Sequence, residues 1–395
     1  MSPENNRKDT LARPKPKGRI ADLLALGQSI WLDSISRHLM DSGQLTELIE
    51  SVGVRGITSN PTIFEKAING SSDYDKDIAL LASRGESSSE IIRTLMVEDV
   101  RRACDYFRPV YDQSNADDGY VSIEVNPLLA HKTEESIEEA RTLHGLVNRP
   151  NLFIKIPGTP EGIPAIQALI AEGISVNITL LFSPEAYRQA AKAYISGIEE
   201  WIKKGKDPAL VRSVASLFIS RLDTLIDKQL ETIVSSSKDP ALVKIAGELH
   251  GKAGIANTQI VYENFRELFH QDPFSRLKKS GARLQRPLWA STGTKNPSYS
   301  DVMYLDNLIA PDTVNTVPME TLKAFLDHGT VSTTLERYKM DGRFPRPQAV
   351  LEGIRKTGIS LEGAYAQLIS EGVSSFNHSF ESLVESTTKK AAARS

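Results

Sequence analysis

Eight short runs of β-type residues alternate with longer stretches of helical periodicity, and this alternation limits the possible folds more than any other feature of the sequence. Strands that alternate with helices are typical of a parallel sheet with helical crossovers. Eight such units are enough to close a barrel, so we predict an α/β fold consisting of a single (β/α)8 TIM barrel. The predicted strands lie at 29–34, 56–60, 120–125, 152–158, 174–182, 213–221, 287–293 and 312–317.

The chain of 395 residues is longer than one barrel of about 250 residues needs, and the surplus lies in a few long segments. These segments have helical patterns, and those that connect two predicted strands are much longer than one crossover needs. They lie at 61–118, 222–284 and 347–388. We predict that they are additional helices of one barrel domain at 18–388. The ends, at 1–17 and 389–395, look solvated, so we expect flexible N-terminal and C-terminal tails.

Composition and charge argue against several classes of partner. The 47 basic and 50 acidic residues give a formal charge of −3, so nothing global favours nucleic acid or an anionic membrane surface. The sequence lacks the run of about 20 apolar residues that a membrane helix requires. The single cysteine, Cys104, cannot form an internal disulfide, and the chain does not begin with a signal-peptide core. We therefore expect a cytoplasmic protein, either a monomer or a homodimer.

Several predicted strands have a polar side chain near the carboxyl end, where the active site of a barrel lies. A barrel strand sends alternate side chains to the interior, and catalytic residues collect at the carboxyl ends of the strands. In the run 174–182, the apolar face would consist of Ile174, Val176, Ile178 and Leu180, and the interior face of Ser175, Asn177 and Thr179. The same alternation turns Glu124 and Lys155 inward. Comparable positions near strand ends hold Asp33, Thr58, Asn60, Ser216 and Ser291.

Lys155 is the least expected of these residues, because burying an ammonium group inside an apolar strand is costly. A desolvated amine is a nucleophile toward carbonyl groups. Schiff-base chemistry also needs two acid/base groups, and Asp33 and Glu124 on two other strands meet that need. The spacing alone leaves open a structural alternative, in which Lys155 only forms an ion pair with one of these carboxylates.

Metal and dinucleotide chemistry have little support in the sequence. The seven histidines all lie outside the predicted strands and form no cluster with carboxylates. No G-x-G-x-x-G follows a strand, and no P-loop is present. Anion binding has better candidates, because Arg221 ends the sixth strand and Lys295 follows the seventh among glycine and hydroxyl residues. Phosphate sites of barrels favour such late loops, so we predict that both side chains bind phosphate.

Seven segments around these residues follow one another in the order WLDS, GITSNPTIF, SIEVNP, FIKIPGT, NITLLFS, SLFISRLD and ASTGTKNP. Together they resemble the motifs of the transaldolase family of the class I aldolase superfamily, and the resemblance covers roughly residues 20–330. The long helical additions look like the bacterial type of about this length. Many transaldolases have an arginine where this chain has Lys295.

The resemblance implies a catalytic role for four residues. Lys155 would form a Schiff base with the carbonyl of a ketose phosphate. Asp33 would act as acid/base during aldol cleavage. Glu124, together with Thr179 and a bound water, would handle the proton transfers of imine formation and hydrolysis. No metal or organic cofactor is implied.

The resemblance also implies how the substrate is held and what the reaction is. The binding residues would be Asn60, Asn177 and Ser216 for the dihydroxyacetone hydroxyls, Arg221 and Lys295 for the sugar phosphate, and Phe218 in the lining of the pocket. The implied reaction belongs to the pentose phosphate pathway. It transfers a dihydroxyacetone unit from sedoheptulose 7-phosphate or fructose 6-phosphate to glyceraldehyde 3-phosphate or erythrose 4-phosphate.

Two alternatives to a transaldolase remain open from the sequence. A fructose 6-phosphate aldolase shares the lysine but releases free dihydroxyacetone, and by resemblance it has a tyrosine where this chain has Glu124. A sugar-phosphate-binding barrel without turnover would keep the pocket but not the chemistry. The presence of Lys155 with both carboxylates argues against this second alternative.

Overall fold

The structure, a computed structural model that describes residues 18–271 and 274–392, is a closed barrel of eight parallel strands in chain order. The first strand pairs with both the second and the last, which closes the sheet. Each predicted run overlaps one strand, although β1 and β7 begin one and two residues before their runs, so the predicted (β/α)8 fold is confirmed. The strands are β1 (Gln28–Leu32), β2 (Gly56–Ile57), β3 (Tyr120–Glu124), β4 (Leu152–Pro157), β5 (Val176–Leu181), β6 (Ser213–Phe218), β7 (Gln285–Ala290) and β8 (Thr313–Val317).

Helices occupy the connections between strands, and several of them form the predicted additions. Up to the fifth crossover the helices are α1 (Arg19–Ala25), α2 (Arg37–Asp41), α3 (Gln44–Glu47), α4 (Pro61–Asn69), α5 (Asp75–Ser83), α6 (Ser88–Gln113), α7 (Thr133–Val147), α8 (Gly162–Ile170) and α9 (Pro184–Lys203). The later ones are α10 (Ser220–Ser236), α11 (Pro240–Glu248), α12 (Ala253–Phe269), α13 (Phe274–Lys279), α14 (Met303–Asn307), α15 (Met319–His328), α16 (Arg337–Met340), α17 (Pro347–Lys356) and α18 (Leu361–Ala392). A π-helical turn lies at Leu48–Val52, and short 3-10 turns lie at Pro127–Leu129 and Pro208–Leu210.

The barrel interior has an aromatic layer below its polar end. The rings of Trp31, Tyr120 and Phe153 stack on one another, with the Tyr120 and Phe153 centroids 4.2 Å apart. All three side chains are almost completely buried. Layers of inward side chains fill the interior of such barrels. The aromatic layer therefore forms a floor beneath the polar groups at the carboxyl ends of the strands.

Strand β5 departs from the predicted alternation at Leu180. This leucine has a φ of 59°, and the pairing between β5 and β6 shifts register between Ile178 and Leu181. Leu181 therefore continues the apolar outer face, while Leu180 joins the cluster that contains Phe218. The prediction that Leu180 shares a face with Ile178 is wrong, because an extra residue in a strand reverses which face the next side chain takes.

The last helix, α18, lies across the carboxyl end of the barrel. It contacts α4, α6, α10 and strand β5. The hydroxyl groups of Thr62 on α4 and Ser379 on α18 are 2.8 Å apart. The helix continues to Ala392, four residues beyond the predicted domain boundary at 388. The predicted tail at 1–17 and the last three residues of the predicted tail at 389–395 lie outside the described residues.

Length and apolarity decide which helices can cross a membrane. None of those in residues 18–271 and 274–392 is both long enough and apolar enough to cross a bilayer. The amphipathic crossover helices instead pack their apolar sides against the barrel. Ile137, Ala140 and Leu143 of α7 are examples, and all three are buried.

Candidate active site

A cavity of about 440 Å³ opens at the carboxyl end of the barrel, where the polar side chains of several strands converge. Most of the site residues expected from the sequence line it: Asp33, Asn60, Lys155, Thr179, Ser216, Phe218, Arg221 and Lys295. The remaining two, Glu124 and Asn177, lie just behind this lining. Glu124 contacts Lys155, and Asn177 contacts Ser216. The strand ends therefore bring the expected residues into one site.

Lys155 is held at the inner end of the cavity by two acceptors. Its Nζ lies 3.1 Å from Oε2 of Glu124 and donates a hydrogen bond of 2.9 Å to the carbonyl oxygen of Ser59. Only 5% of the lysine side chain is exposed. A primary ammonium has three N–H directions, so these two contacts leave one direction for a group in the cavity. The amine is thus both fixed in place and accessible from the cavity.

Glu124 is deeply buried beside this amine. Burial raises the pKa of its carboxyl group above the ordinary value, and the positive charge of Lys155 opposes that rise. Apart from the ion pair, neither carboxylate oxygen has a hydrogen-bond partner among the described residues, and the same holds for the buried hydroxyl of Thr179. Buried polar atoms normally bind protein groups or ordered water. These atoms fit a water that both residues would hold.

Asp33 lies just beyond the end of β1 and faces the same cavity. Its Oδ1 accepts a 2.6 Å hydrogen bond from the hydroxyl of Thr58, which is 2.6 Å from the hydroxyl of Thr316. Burial raises the pKa of Asp33, while the Thr58 hydrogen bond and the charge of Lys155 oppose that rise. A carboxylate of raised pKa is suited to accept a proton from a sugar hydroxyl near neutral pH.

A hydrogen-bonded row connects side chains of strands β3, β5 and β6 beside Lys155. The hydroxyl of Ser216 donates to Oδ1 of Asn177 at 2.7 Å, and the amide of Asn177 donates to the hydroxyl of Ser122 at 3.0 Å. Ser216 is the member of this row that lines the cavity. Asn60 caps helix α4 by accepting from the backbone N–H of Ile63 at 2.9 Å. This cap turns the side chain of Asn60 toward the cavity and fixes its orientation.

The outer part of the cavity is positively charged. Arg221, in the first turn of α10, lies with its guanidinium carbon 5.1 Å from the ring centroid of Phe218. Among the residues that the structure describes, no carboxylate or carbonyl group forms a hydrogen bond or an ion pair with this guanidinium. Lys295 is exposed and likewise has no partner among them. Two cations at one mouth without counter-ions are suited to a phosphate.

The loop that contains Lys295 and the helix α14 that follows it are attached to α10, the helix that contains Arg221. The hydroxyl of Tyr299 donates to Asp227 at 2.8 Å, and the hydroxyl of Tyr304 donates to Asp223 at 2.8 Å. Asp227 and Asp223 are one turn apart on α10. These two contacts fix the distance between the two cationic segments.

The cavity also contains residues that the sequence did not indicate. Lys66 and Glu320 reach its rim from α4 and α15, and Ser375 and Phe376 reach it from α18. The alternation of side chains along strands cannot predict site residues that lie on helices. One signal could have indicated Lys66: it lies on α4, the helix whose N-cap is the predicted site residue Asn60. Within the described ranges, His, Cys, Asp and Glu side chains form no group of three or more that could hold a metal ion.

Known proteins of one family match nearly the whole length of this chain. A sequence profile of the family described as transaldolase/fructose-6-phosphate aldolase matches residues 30–387. A protein named transaldolase from Mycobacterium tuberculosis is 47% identical over 369 residues, which are 93% of this chain and 96% of that protein. Another from Saccharopolyspora erythraea is 46% identical over 364 residues, or 92% and 95% of the two chains. The chain belongs to the transaldolase/fructose-6-phosphate aldolase family.

Proposed function

We propose that this chain is a transaldolase of the pentose phosphate pathway that works through a Schiff base on Lys155. The observation that best supports this function is the buried amine of Lys155, held by Glu124 and the Ser59 carbonyl with one direction open to the cavity. The relatives named transaldolase, at 46–47% identity over nearly the whole chain, support the same activity. A cytoplasmic location stays a prediction.

Imine formation uses the inner end of the cavity. Glu124 takes a proton from the Lys155 ammonium across the 3.1 Å contact, and the neutral amine attacks the C2 carbonyl of a ketose phosphate. The carbinolamine then loses its hydroxyl group as water. A water held between Glu124 and Thr179 passes protons in both directions, because it would reach the reacting nitrogen and oxygen. Apart from the Lys155 ion pair, the buried side-chain oxygens of these two residues have no hydrogen-bond partner among the described residues, which supports this assignment.

Carbon–carbon cleavage uses Asp33. Its carboxylate removes the proton of the C4 hydroxyl, the C3–C4 bond breaks, and the electron pair of that bond moves into the iminium on Lys155. The aldose phosphate leaves, and a three-carbon enamine remains on the lysine. Attack of this enamine on an acceptor aldehyde reverses the sequence. The product is a new ketose phosphate, and Lys155 returns to its free state.

Substrate binding follows the length of the cavity. Asn60, Ser216 and Asn177 hold the hydroxyl groups of the three-carbon unit near Lys155, and Asn177 acts from behind Ser216. Arg221 and Lys295 bind the phosphate at the outer end. Suitable donors are fructose 6-phosphate and sedoheptulose 7-phosphate, and suitable acceptors are erythrose 4-phosphate and glyceraldehyde 3-phosphate.

The first test is chemical trapping of the imine. Incubation with fructose 6-phosphate and borohydride should reduce the Schiff base to a stable secondary amine, since borohydride reduces an iminium carbon. Peptide mass mapping should then find one three-carbon adduct, located on Lys155. A chain that turns over fructose 6-phosphate but gives no adduct at Lys155 would contradict the mechanism.

A second measurement distinguishes transfer from simple cleavage. With fructose 6-phosphate and erythrose 4-phosphate together, we expect sedoheptulose 7-phosphate and glyceraldehyde 3-phosphate as products. Without an acceptor, free dihydroxyacetone should form only slowly, because the enamine waits for an aldehyde. Rapid, stoichiometric release of dihydroxyacetone would instead indicate a fructose 6-phosphate aldolase.

Replacing Thr58 with valine should move the acid limb of the pH–rate profile to higher pH. The Thr58 hydroxyl stabilises the carboxylate form of Asp33, so its removal raises the pKa of Asp33 further. As the pH falls, the carboxylate form of Asp33 is then lost at a higher pH than in the parent chain. Turnover should drop by about tenfold at the acid end and much less at the alkaline end, given the usual strength of a hydrogen bond to a charged group.

The matched control for this prediction is Thr58→Ser, which keeps a hydroxyl group at the same position. Its profile should stay close to that of the parent chain. Rates should be measured between pH 5 and 9 at saturating donor and acceptor. If both variants lose activity equally at every pH, Thr58 acts only in packing.

A further inference from the structure

The C-terminal helix α18 forms one wall of the phosphate end of the cavity. Its residues Ser375 and Phe376 line the same cavity as Lys155, although they are more than 200 positions away in the chain. Phe376 is almost fully buried, with 2% of its surface exposed. A buried ring at the edge of a polar cavity must contact groups that shape that cavity.

One of those groups is Arg221. Its guanidinium carbon lies 5.9 Å from the ring centroid of Phe376 and 5.1 Å from that of Phe218. Both distances lie within the range of a cation–π contact. A ring near a guanidinium restricts where that plane can lie, while the N–H donors point outward along the edge of the plane. Two rings from two separate elements therefore restrict the orientation of those donors.

The helix is built to come this close. Gly372, one turn before Phe376, lies over Leu180 and Arg221, and a β-carbon added there would be only 2.9 Å from Leu180 Cδ2 and 3.6 Å from Arg221 Nη1. Leu180 itself faces the helix because β5 changes register at that point. Thr62 and Ser379 connect the same helix to α4. The close approach at Gly372 and the Thr62–Ser379 contact thus hold this part of α18, and with it Phe376, next to Arg221.

Charge alone does not position this arginine. Burial lowers the pKa of Arg221, and the acidic groups that oppose this shift, Asp33 and Glu124 first among them, act at a distance without a hydrogen bond to it. In many phosphate sites an acidic side chain orients the arginine. Here two aromatic rings take that place, so the guanidinium keeps its hydrogen-bonding capacity for a ligand.

We propose that Phe376 of the C-terminal helix is a positioning residue for phosphate recognition, which orients the guanidinium of Arg221 toward the phosphate of the sugar substrate. This inference rests on the proposed function, because it takes Arg221 as a phosphate ligand and Lys155 as the imine-forming residue. It assigns to α18 a role in selecting phosphorylated over unphosphorylated substrates.

The test compares Phe376→Leu with the parent chain in borohydride trapping at Lys155. Leucine keeps an apolar side chain but removes the ring. The half-saturating concentration of fructose 6-phosphate should rise about tenfold, as expected when a cation–π contact and a well-aimed arginine are lost together. The half-saturating concentration of dihydroxyacetone, which has no phosphate, should stay unchanged.

Two further variants on the same helix complete the test. Phe380→Leu makes the same change one turn further along, at a ring that is not one of the two in cation–π contact with Arg221 among the described residues, and should leave both concentrations unchanged. Phe376→Tyr keeps the ring and should behave like the parent chain. Circular dichroism and thermal unfolding would be recorded for every variant.

The outcomes separate this inference from the proposed function. If the parent chain gives no adduct with either ligand, the Schiff-base proposal fails. If adducts form but Phe376→Leu raises both concentrations together, or affects fructose 6-phosphate no more than Phe380→Leu does, Phe376 acts only in packing and the inference is overturned. A rise in the half-saturating concentration that is confined to fructose 6-phosphate and to Phe376→Leu supports the inference.

Discussion

Replacing Lys155 with methionine should lower turnover by at least about 10⁴-fold, because the other amines that line the cavity, Lys66 and Lys295, do not lie at the inner end beside Glu124. Methionine has a similar length and is apolar, so it suits the buried part of the position. Borohydride trapping should give no adduct on the variant. The measurement is the coupled transfer assay together with peptide mass mapping, and far-ultraviolet circular dichroism would show that the barrel is retained.

The same replacement should also change how stability depends on pH. Removing one member of a buried ion pair costs about 3 kcal/mol when the remaining charge has no partner. In the variant, Glu124 would stay buried without the charge that now opposes the rise of its pKa. A carboxyl group whose pKa is raised in the folded state reduces stability as the pH rises from the unfolded value through the folded one. The Lys155→Met variant should therefore be least stable against unfolding at alkaline pH.

The double variant Lys155→Met, Glu124→Gln is the control for this effect. Glutamine cannot ionise, so the extra loss of stability at alkaline pH should disappear while turnover remains absent. Urea unfolding at pH 5 and pH 8 would measure both variants. If the single variant has significant residual turnover or a trapped adduct, another amine must be the nucleophile.

Strand alternation was enough to predict most of this site, because side chains on a strand have a period of two and the interior of a barrel is a single region. Glu124 and Lys155 face each other across adjacent strands as that period requires. The alternation fails at Leu180, where the backbone turns left-handed and the register of β5 shifts. Such a shift leaves no mark in an apolar run such as residues 180–182, so it could not be predicted from the residues.

The role of the C-terminal helix could not be predicted for a different reason. The apolar pattern of α18 indicates that one side of the helix is buried, but it does not indicate which surface covers it. Phe376 contacts Arg221 only because the helix crosses the mouth of the barrel and Gly372 allows a close approach. This contact joins residues about 155 positions apart, so no local rule of sequence connects them.

The two carboxylates of the site differ in surroundings in a way that suits separate tasks. Glu124 forms an ion pair with the amine and otherwise has no hydrogen-bond partner among the described residues, so it is placed to exchange protons with nitrogen and with a water. Asp33 forms no such pair with any residue that the structure describes and is instead oriented by Thr58, itself in contact with Thr316. Its position fits a base for a hydroxyl group further along the substrate. Substitutions that remove one carboxyl group at a time can therefore separate the two steps.

Replacing Asp33 with asparagine should lower turnover by about 10³-fold, the usual contribution of a positioned general base, while leaving imine formation intact. The reason is that Asp33 is needed to break the C3–C4 bond, and Lys155 with Glu124 forms the imine without it. Borohydride trapping with fructose 6-phosphate should then give the intact six-carbon phosphate adduct on Lys155 in place of the three-carbon adduct. Glu124→Gln is the matched control, because it should slow adduct formation with fructose 6-phosphate and dihydroxyacetone alike. A three-carbon adduct that still forms quickly on Asp33→Asn would show that a different group removes the hydroxyl proton.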